Sequence, residues 1–294
     1  MPIEMITTDS ESLLLLARAG FRWRERGGVR VLSCAPLEEE NFPNGFSTRG
    51  GGCSPVPPTG GALNLAGFDT DDAANIHENR RRFLALFGDG DWRLATCWQV
   101  HGADVRVVRR DTPAGALAAN AERCDALITD AARLLVGVQT ADCVPVLLGD
   151  ARTGACAAVH AGWRGTAAGI VPAALARMRE EYGTRAADVR AAIGPAALQC
   201  CYEVGRDVIE MFRARFHYAD ELLTSTRGGH ARIDLHGANR RQLTDAGVSP
   251  ARVHAAPFCT ICRDDLFFSY RRDNKLHGRT GRLLAVVGRN EEVE

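Results

Sequence analysis

One stretch of the chain sets its architecture: residues 134–166 read LLVGVQTADCVPVLLGD (134–150) and then ARTGACAAVHAGWRGT (151–166). It contains two apolar runs of strand length, Leu134–Val138 and Ala155–Val159, and a polar cluster follows each run. Nearly continuous apolar runs are typical of strands that are buried on both faces. Because these strands end in a thiol, an imidazole and a carboxylate, the stretch predicts a functional site at one edge of a sheet.

Length and charge narrow the class of protein. The chain has 294 residues, enough for one large domain or two ordinary ones. Lys plus Arg and Asp plus Glu number 36 each, so the net charge is zero and no nucleic-acid partner is expected. The first apolar run, Leu13–Ala17, is too short for a signal peptide or a membrane span. We therefore expect a cytoplasmic protein without membrane association.

The cysteines predict free thiols. Ten cysteines in 294 residues are too sparse for a disulfide scaffold. Cys259 and Cys262 form one C-x-x-C motif, but the sequence offers no second such pair, so a zinc knuckle is not expected. The adjacent Cys200 and Cys201 are predicted to be one buried and one exposed thiol.

The order of the predicted elements favours mixed sheets. Strand-like and helix-like segments follow one another without a strict βαβ alternation. This order predicts an α/β (α+β) fold of mixed β-sheets with flanking helices. No repeat and no linker-like segment divides the chain. We therefore expect a single catalytic domain over residues 1–294, with residues 1–30 at its periphery.

Three local predictions depend on weaker signals. The segment Asp125–Thr129 is expected to pair with the strand at Leu134–Val138. Residues 41–61 are rich in Gly, Pro and Ser, which predicts a long loop. Thr166 is predicted to cap a helix over Ala167–Tyr182.

Three side chains at strand ends form a candidate metal site. His101, Cys143 and His160 each lie at or just past the end of an apolar strand. Imidazole and thiolate are the usual zinc ligands, and three of them leave one tetrahedral position open, at which zinc can activate a water. The same residues fit a thiol nucleophile, with His160 as the base for Cys143 and with Asp142 or Gln99 orienting the imidazole. Two turn histidines and a buried free thiol are the third interpretation.

Two arginines are candidates for binding an anion. Arg49 precedes three glycines, whose backbone N–H groups can approach an anion closely. For this segment a mobile surface loop is the plain alternative. Arg164 lies just before the predicted helix N-terminus at Thr166, where backbone donors favour negative charge.

Five motifs in order resemble one known family. The motifs are WQVHG (98–102), TADCVPVLL (140–148), VHAGWRG (159–165), IGP with CYEVG (193–195 and 201–205), and CTIC with FFSYRRD (259–262 and 267–273). They are similar to those of the bacterial laccase-domain family, which is also known as polyphenol oxidase and as purine nucleoside phosphorylase. The resemblance runs from about Phe46 to Val287, nearly the whole chain.

The resemblance implies a metal site and an activity. The family's metal ligands match His101, Cys143 and His160, with zinc as the expected ion and copper as the alternative. Members act on purine nucleosides, by phosphorolysis of adenosine, inosine and methylthioadenosine and by deamination of adenosine. The expected partners are therefore a purine nucleoside and phosphate.

Roles for individual residues follow from this interpretation. The expected catalytic residues are Cys143, His160 and Asp142, the last as a proton shuttle. The residues expected to bind the substrate or its anion are Arg49, Arg164 and Gln99.

Other activities are kept as alternatives. Some members are described as cytosolic amidases that remove a wrong amino acid from UDP-muramyl peptidoglycan precursors, and the same site would serve that reaction. A polyphenol oxidase activity with copper is a second alternative. However, the eight histidines include no pair two residues apart, so a full laccase centre cannot be built. A non-catalytic metal binder that regulates a partner is a third alternative, and it predicts a fourth protein ligand.

Overall fold

Two six-stranded sheets form the centre of the protein. The computed structural model describes residues 10–57, 60–67, 71–88, 91–117 and 122–290. Its strands are β1 (Phe21–Arg26), β2 (Val29–Cys34), β3 (Asn44–Ser47), β4 (Arg93–Ala95), β5 (Val105–Val107), β6 (Ala126–Thr129), β7 (Leu134–Thr140), β8 (Val144–Asp150), β9 (Ala155–Ala161), β10 (Val189–Ile193), β11 (Glu203–Val204), β12 (Leu223–Ser225), β13 (Ala231–Ile233), β14 (Val253–Ala255) and β15 (Leu283–Val287). Its α-helices are α1 (Ser10–Arg18), α2 (Ala35–Glu39), α3 (Ala73–Leu84), α4 (Trp163–Ala168), α5 (Ile170–Tyr182), α6 (Arg206–Arg215), α7 (Leu235–Asp245) and α8 (Tyr270–His277). Short 3₁₀ helices cover Ala85–Phe87, Ala114–Leu117, Ala186–Asp188, Ala219–Leu222, Arg227–Gly229 and Pro250–Arg252.

The sheets are mixed, as the sequence predicts. The first sheet has the strand order β1-β2-β3-β15-β7-β4, and the second has β14-β10-β8-β9-β6-β5. Most neighbouring strands are antiparallel, but β4–β7, β5–β6 and β10–β14 run parallel. A small third sheet has the order β11-β13-β12. The predicted α/β fold of mixed sheets with flanking helices is confirmed.

Side-chain alternation along the central strands explains why their sequences are apolar throughout. On β9, Ala157 and Val159 belong to the core shared with α5 and α7, whereas Cys156 and Ala158 belong to the core between the two sheets. On β7, Leu135 packs on the other side of the first sheet, in a core shared with α3. Each strand therefore serves two cores. Burial of each Val or Leu side chain stabilises the fold by roughly 1.5–3 kcal/mol.

Residues 10–30 contribute one edge of the first sheet. Strand β1 pairs only with β2 in that sheet's order, and Phe21 at its start is buried. Helix α1 precedes it and exposes Leu13, Leu14 and Leu15. None of the described helices combines the length and the apolar character that crossing a membrane requires.

The segment Asp125–Thr129 does not pair with β7, which corrects the expectation from the sequence. Strand β6 pairs antiparallel with β9 and parallel with β5, whereas β7 lies in the other sheet between β15 and β4. The turn between β6 and β7 contains Arg133 in a left-handed conformation, with φ of 59°. It carries the chain from one sheet to the other instead of closing a hairpin. Both strands are apolar on both faces, so no local pattern distinguishes the two outcomes.

Residues 41–61 are not one continuous loop. Residues 44–47 form β3 between β2 and β15, and all four are buried. The Asn44 side chain fixes this strand, because its Oδ1 accepts from the Cys34 backbone N–H (2.8 Å) and its Nδ2 donates to the Cys34 carbonyl (3.0 Å). Asn and Gly are poor strand formers, so tertiary pairing and not propensity makes this strand.

The helix after His160 begins earlier than predicted and is interrupted once. It was expected over Ala167–Tyr182 with Thr166 as its cap, but α4 already starts at Trp163 and Thr166 lies inside it. Gly169 then adopts a left-handed conformation, with φ of 81°, and separates α4 from α5. Pro172 lies in the first turn of α5, where its missing N–H is tolerated. In one continuous helix the same proline would clash with the carbonyl four residues earlier.

Candidate metal centre

Three chain segments bring His101, Cys143 and His160 together. His101 precedes β5, Cys143 joins β7 to β8, and His160 lies near the end of β9. Their ligand atoms, one per residue, all lie within 4.8 Å of one another. The two imidazole rings meet edge-on, with centroids 4.9 Å apart. His160 is buried, Cys143 is half-buried and His101 is exposed, so the cluster opens to solvent on the His101 side.

The backbone around the cluster is constrained to reach this geometry. His101 (φ 60°) and Asp142 (φ 98°) adopt positive φ values that non-glycine residues rarely take. Such backbone costs about 1–3 kcal/mol per residue and persists where the surroundings hold it. At Gly162 a Cβ atom would lie 3.0 Å from Cys143 Sγ and 3.1 Å from His101 Cδ2. Glycine at this position therefore makes room for the two ligands.

Asp125 holds two of the three ligand residues in place through hydrogen bonds. It lies outside the five sequence motifs, so the sequence analysis did not identify it. The carboxylate is fully buried and accepts from the backbone N–H groups of Val100 (3.1 Å), His101 (2.9 Å) and Gly102 (2.7 Å). Its Oδ1 also lies 2.8 Å from His160 Nδ1. When Nδ1–H donates to this carboxylate, Nε2 of His160 is left for a metal, which is the pairing typical of metal-binding histidines.

The electrostatics of the cluster favour a thiolate. Burial disfavours ionised Asp125, but hydrogen bonds from His160 and from the Gly102 backbone outweigh it and hold the pKa of Asp125 below its usual value. Burial also opposes the Cys143 thiolate, yet the positive charge of His160 and hydrogen bonds from both histidines lower the pKa of Cys143 to about 6. Burial would lower the pKa of His160, whereas Cys143 and Asp125 together raise it to about 9. A divalent cation would take the place of the imidazolium proton beside this thiolate.

Asp142 fastens the turn that carries Cys143. Its carboxylate accepts from Thr260 Oγ1 (2.7 Å), Ser269 Oγ (3.0 Å) and the Arg271 backbone N–H (2.7 Å). Burial raises the pKa of Asp142 above its usual value, although these hydrogen bonds oppose the shift. The contacts indicate a positioning residue. Its role as a proton shuttle stays a prediction.

Two exposed arginines lie near the cluster. Arg164 stacks on Trp163, with its guanidinium carbon 4.1 Å from the ring centroid. Arg271 lies over the ring of Tyr202 at 5.1 Å. Burial, followed by the charge of Cys143, raises the pKa of the Tyr202 phenol, so this ring lies within electrostatic reach of the cluster. Together these groups offer guanidinium donors for an anion and aromatic faces for a flat ring.

Arg49 and Gln99 are both hydrogen-bonded to backbone groups of the fold. Arg49 is buried and donates to the backbone carbonyls of Pro57 (2.6 Å) and Asp264 (2.9 Å). Gln99 exchanges two hydrogen bonds with the backbone of Gln139, at 2.8 and 2.7 Å. These contacts give both side chains a structural role, and the binding roles expected from the sequence stay predictions.

The donor set fits a divalent transition metal. Within the described part of the chain, the cluster contains three ligand residues, two histidines and one cysteine. Ligand atoms on one tetrahedral zinc lie roughly 3.3–3.8 Å apart, given zinc–ligand bonds of about 2.0–2.3 Å. The ligand atoms of the cluster all lie within 4.8 Å of one another, so closure by about 1 Å or less brings them to this geometry. Two imidazoles and one thiolate also suit copper.

Known proteins resemble the chain over most of its length. Residues 43–290 match the family described as multi-copper polyphenol oxidoreductase laccase. A purine nucleoside phosphorylase, YlmD from Geobacillus stearothermophilus, is 37% identical over 276 residues, which cover 92% of this chain and 98% of that protein. Adenosine deaminase RL5, from an unknown prokaryotic organism, is 36% identical over 222 residues, which cover 74% of this chain and 84% of that protein. The crystal structure of the hypothetical protein YfiH from Bacillus licheniformis superposes with a TM-score of 0.82 at 29% identity, covering 91% of this chain and 99% of that one.

Proposed function

This chain belongs to the family described as multi-copper polyphenol oxidoreductase laccase, and from that membership we propose that it is a metal-dependent enzyme acting on purine nucleosides. The observation that carries the proposal is the solvent-open cluster of His101, Cys143 and His160. Three protein ligands with one free position are typical of catalytic zinc sites. Two relatives named purine nucleoside phosphorylase and adenosine deaminase support the choice of substrate class.

We infer two reactions at this site. In phosphorolysis, phosphate attacks C1′ of adenosine, inosine or methylthioadenosine and the purine base leaves. In deamination, water adds at C6 of adenosine, the bond to the amino group breaks, and ammonia leaves. The proposed partners are therefore a purine nucleoside and inorganic phosphate.

The chain's own residues divide the work between binding and positioning. Arg164 and Arg271 are exposed cations that can hold the phosphate by charge-assisted hydrogen bonds. Trp163 offers a half-buried aromatic face to the purine. Asp125 keeps the His160 ring turned toward the metal position. A zinc ion held by the three ligands would supply Lewis acidity.

Copper is the alternative ion and oxidation the corresponding alternative activity. The family description names copper, and a cluster of two imidazoles and one thiolate can bind it. Metal analysis of the protein as purified separates the two ions.

A thiol nucleophile is a second candidate, favoured by one specific contact chain. Cys143 and His160 belong to the same cluster, and Asp125 accepts from His160 Nδ1 at 2.8 Å. This order of thiol, imidazole and carboxylate is the arrangement of enzymes that attack a carbonyl. An amidase acting on UDP-muramyl conjugates would use it, with the exposed arginines holding the diphosphate.

The deciding experiment compares the wild type with Cys143→Ala, purified without added metal. We expect the variant to lose one metal equivalent and at least about 100-fold of its activity on adenosine and inosine. Cys53→Ala is the matched control, because Cys53 is half-buried and lies outside the cluster. A wild type that turns over no nucleoside with or without phosphate would contradict the proposal. Quick alkylation of Cys143 in that protein would then favour the amidase.

Arg164 gives a finer test of the phosphate site. We expect Arg164→Ala to raise KM for phosphate roughly 10–100-fold, because a guanidinium–phosphate contact is worth about 1.5–3 kcal/mol. Deamination of adenosine, which uses no phosphate, should change much less. Arg177→Ala is the control for the loss of an arginine side chain. Arg177 lies on α5, is half-exposed and pairs with Glu180 and Glu181. Equal losses in both reactions would remove Arg164 from the phosphate site.

A further inference from the structure

Four cysteines that are remote in sequence lie together near the protein surface. Cys200 and Cys201 follow β10, and Cys259 and Cys262 follow β14. Their four Sγ atoms all lie within 4.8 Å of one another. The sequence shows one C-x-x-C motif and no second one, but the fold brings a second pair of thiols to it. The second pair is Cys200–Cys201, because β10 and β14 are parallel neighbours and their following turns leave the same end of the sheet.

The sulfur spacing matches one tetrahedral ion. The Sγ atom of Cys262 lies 3.2 Å from that of Cys201 and 3.7 Å from that of Cys200. Four thiolates at about 2.3 Å from one zinc would place their sulfurs roughly 3.8 Å apart. A disulfide would need a separation of about 2.05 Å, and all four thiols are free. Tetrahedral all-sulfur sites of this size are typical of zinc.

Backbone N–H groups already point at the most buried sulfur. Cys259 Sγ accepts from the Leu198 backbone N–H at 3.5 Å, and the backbone N–H groups of Ile261 and Cys262 also reach it. Converging amides of this kind stabilise a metal-bound thiolate. The two cysteine turns are tied together as well, since Thr260 donates from its backbone N–H to the Ala196 carbonyl at 2.9 Å.

A guanidinium lies beside the same turn. Arg272 donates from Nη1 to the carbonyls of Thr260 (2.8 Å) and Ile261 (3.1 Å). Four thiolates on one divalent ion carry a net charge of minus two, which a neighbouring cation partly offsets. Formation of the site would release the thiol protons to solvent without any redox step.

We propose that Cys200, Cys201, Cys259 and Cys262 bind one zinc ion in a closed site, separate from the His101–Cys143–His160 cluster. The site does not depend on the proposed activity. It stabilises the turn that carries Cys143, because Thr260, between Cys259 and Cys262, donates to the Asp142 carboxylate. The Asp142 carbonyl in turn accepts from the backbone N–H of Ala197, next to the other cysteine turn.

Zinc stoichiometry of five purified proteins tests the proposal. We expect about two zinc ions per chain in the wild type and in the control Cys53→Ser. One should remain in Cys143→Ala and one in Cys259→Ser/Cys262→Ser, and none when these changes are combined. Wild-type zinc content that is unchanged in Cys259→Ser/Cys262→Ser would overturn the proposal. Because the two sites are removed by different variants, failure of the catalytic metal site and failure of this one give different patterns.

A second measurement uses Cys143→Ala and needs no substitution at the four cysteines. Cobalt(II) added to metal-free Cys143→Ala should produce the intense thiolate-to-cobalt absorption of a four-sulfur site at one equivalent, and zinc should abolish it. In the same protein, zinc should protect Cys200 and Cys262 from alkylation, although both are exposed. Absence of the absorption, or alkylation at an equal rate with and without zinc, would refute the site. A disulfide joining the two pairs in freshly reduced protein would refute it as well.

Discussion

Asp125 accepts four hydrogen bonds, one from His160 and three from consecutive backbone N–H groups at residues 100–102. The carboxylate thereby fixes two of the three ligand residues at once. Its geometry follows from strand register, because Ala126 on β6 lies opposite Val159 on β9. This register puts Asp125 beside His160, whose backbone N–H also donates to the Asp125 carbonyl at 2.7 Å.

Asp125→Ala should therefore weaken the metal centre and the fold together. We expect roughly 10–100-fold weaker zinc binding at the His101–Cys143–His160 cluster. Each buried N–H group left without an acceptor should further destabilise the protein by about 1–3 kcal/mol. Zinc competition with a chromophoric chelator, in the Cys259→Ser/Cys262→Ser background, measures the first effect, and urea unfolding measures the second.

Asp130→Ala is the control for this variant, since Asp130 is an exposed acid just after the same strand. Zinc affinity equal to that of the control would show that Asp125 does not orient His160.

Gly162→Ala tests how tightly the ligands are packed. The added methyl group would meet Cys143 Sγ at 3.0 Å and the His101 ring at 3.1 Å, both closer than ordinary contact. We expect zinc at this cluster to fall to well under half of the wild-type stoichiometry, while far-UV circular dichroism stays unchanged. Gly50→Ala is the matched control, because a Cβ atom there meets nothing within 4 Å. Full zinc occupancy in Gly162→Ala would mean that the cluster tolerates wider spacing than described.

At the scale of elements, Arg164 lies on the short helix α4, which begins at Trp163. Gly169 separates the two helices with a left-handed backbone, and α4 alone carries Trp163 and Arg164. The buried Thr166 fastens α4 to α7, because its Oγ1 accepts from Asn239 Nδ2 at 3.1 Å and its carbonyl accepts from Gln242 Nε2 at 2.8 Å. A helix that started at Ala167, as the sequence predicted, would leave Arg164 on a loop.

Gly169→Ala should accordingly destabilise this element through its backbone alone. A Cβ atom at Gly169 meets nothing within 4 Å, so the φ of 81° is the whole obstacle. We expect a loss of about 1–2 kcal/mol in the free energy of unfolding, measured by urea denaturation. Gly115→Ala, in open space and without a positive φ, should change stability by less than half of that. No loss in Gly169→Ala would mean that the two helices merge without strain.

At the scale of the whole molecule, His236 joins a flanking helix to a sheet. It lies on α7, and its Nε2 donates to the Gly194 carbonyl, just after β10, at 2.9 Å. Burial lowers the pKa of His236 to about 4, with Asp234 opposing the shift and Arg240 adding to it. In the unfolded chain the same imidazole titrates near 6.5. Between these two values the unfolded state binds more protons than the folded state.

Stability should therefore be complete above about pH 6.5 and decline as the pH falls toward 4. We expect the Tm of the wild type to drop more steeply over this window than that of His236→Gln, which keeps a neutral donor. His217→Gln is the control for the loss of a surface histidine. Parallel Tm curves for the wild type and His236→Gln would assign the acid sensitivity to other groups.

The sequence predicts a feature correctly where the residues of a single strand or helix determine that feature. The apolar runs at β7 and β9 predict buried strands because a strand that serves two cores must be apolar at every position. The three metal-ligand candidates follow from polar residues placed directly after such strands. The backbone contacts of Arg49 and Gln99 could not be predicted from the sequence, because their partners Asp264 and Gln139 are remote in the chain.

By itself, the sequence determined the mixed α/β class, the central strands and the three residues of the candidate metal centre. Tertiary structure alone decided which strands are neighbours. The turn at Arg133 leads β7 into the other sheet. Strand β6 pairs with β9 instead, and this pairing places Asp125 beside His160. The parallel pairing of β10 with β14 likewise brings Cys200 and Cys201 to Cys259 and Cys262. The sequence of a strand that is apolar on both faces does not specify which strand pairs with it. The pairing is decided by the packing of the sheets and helices against one another.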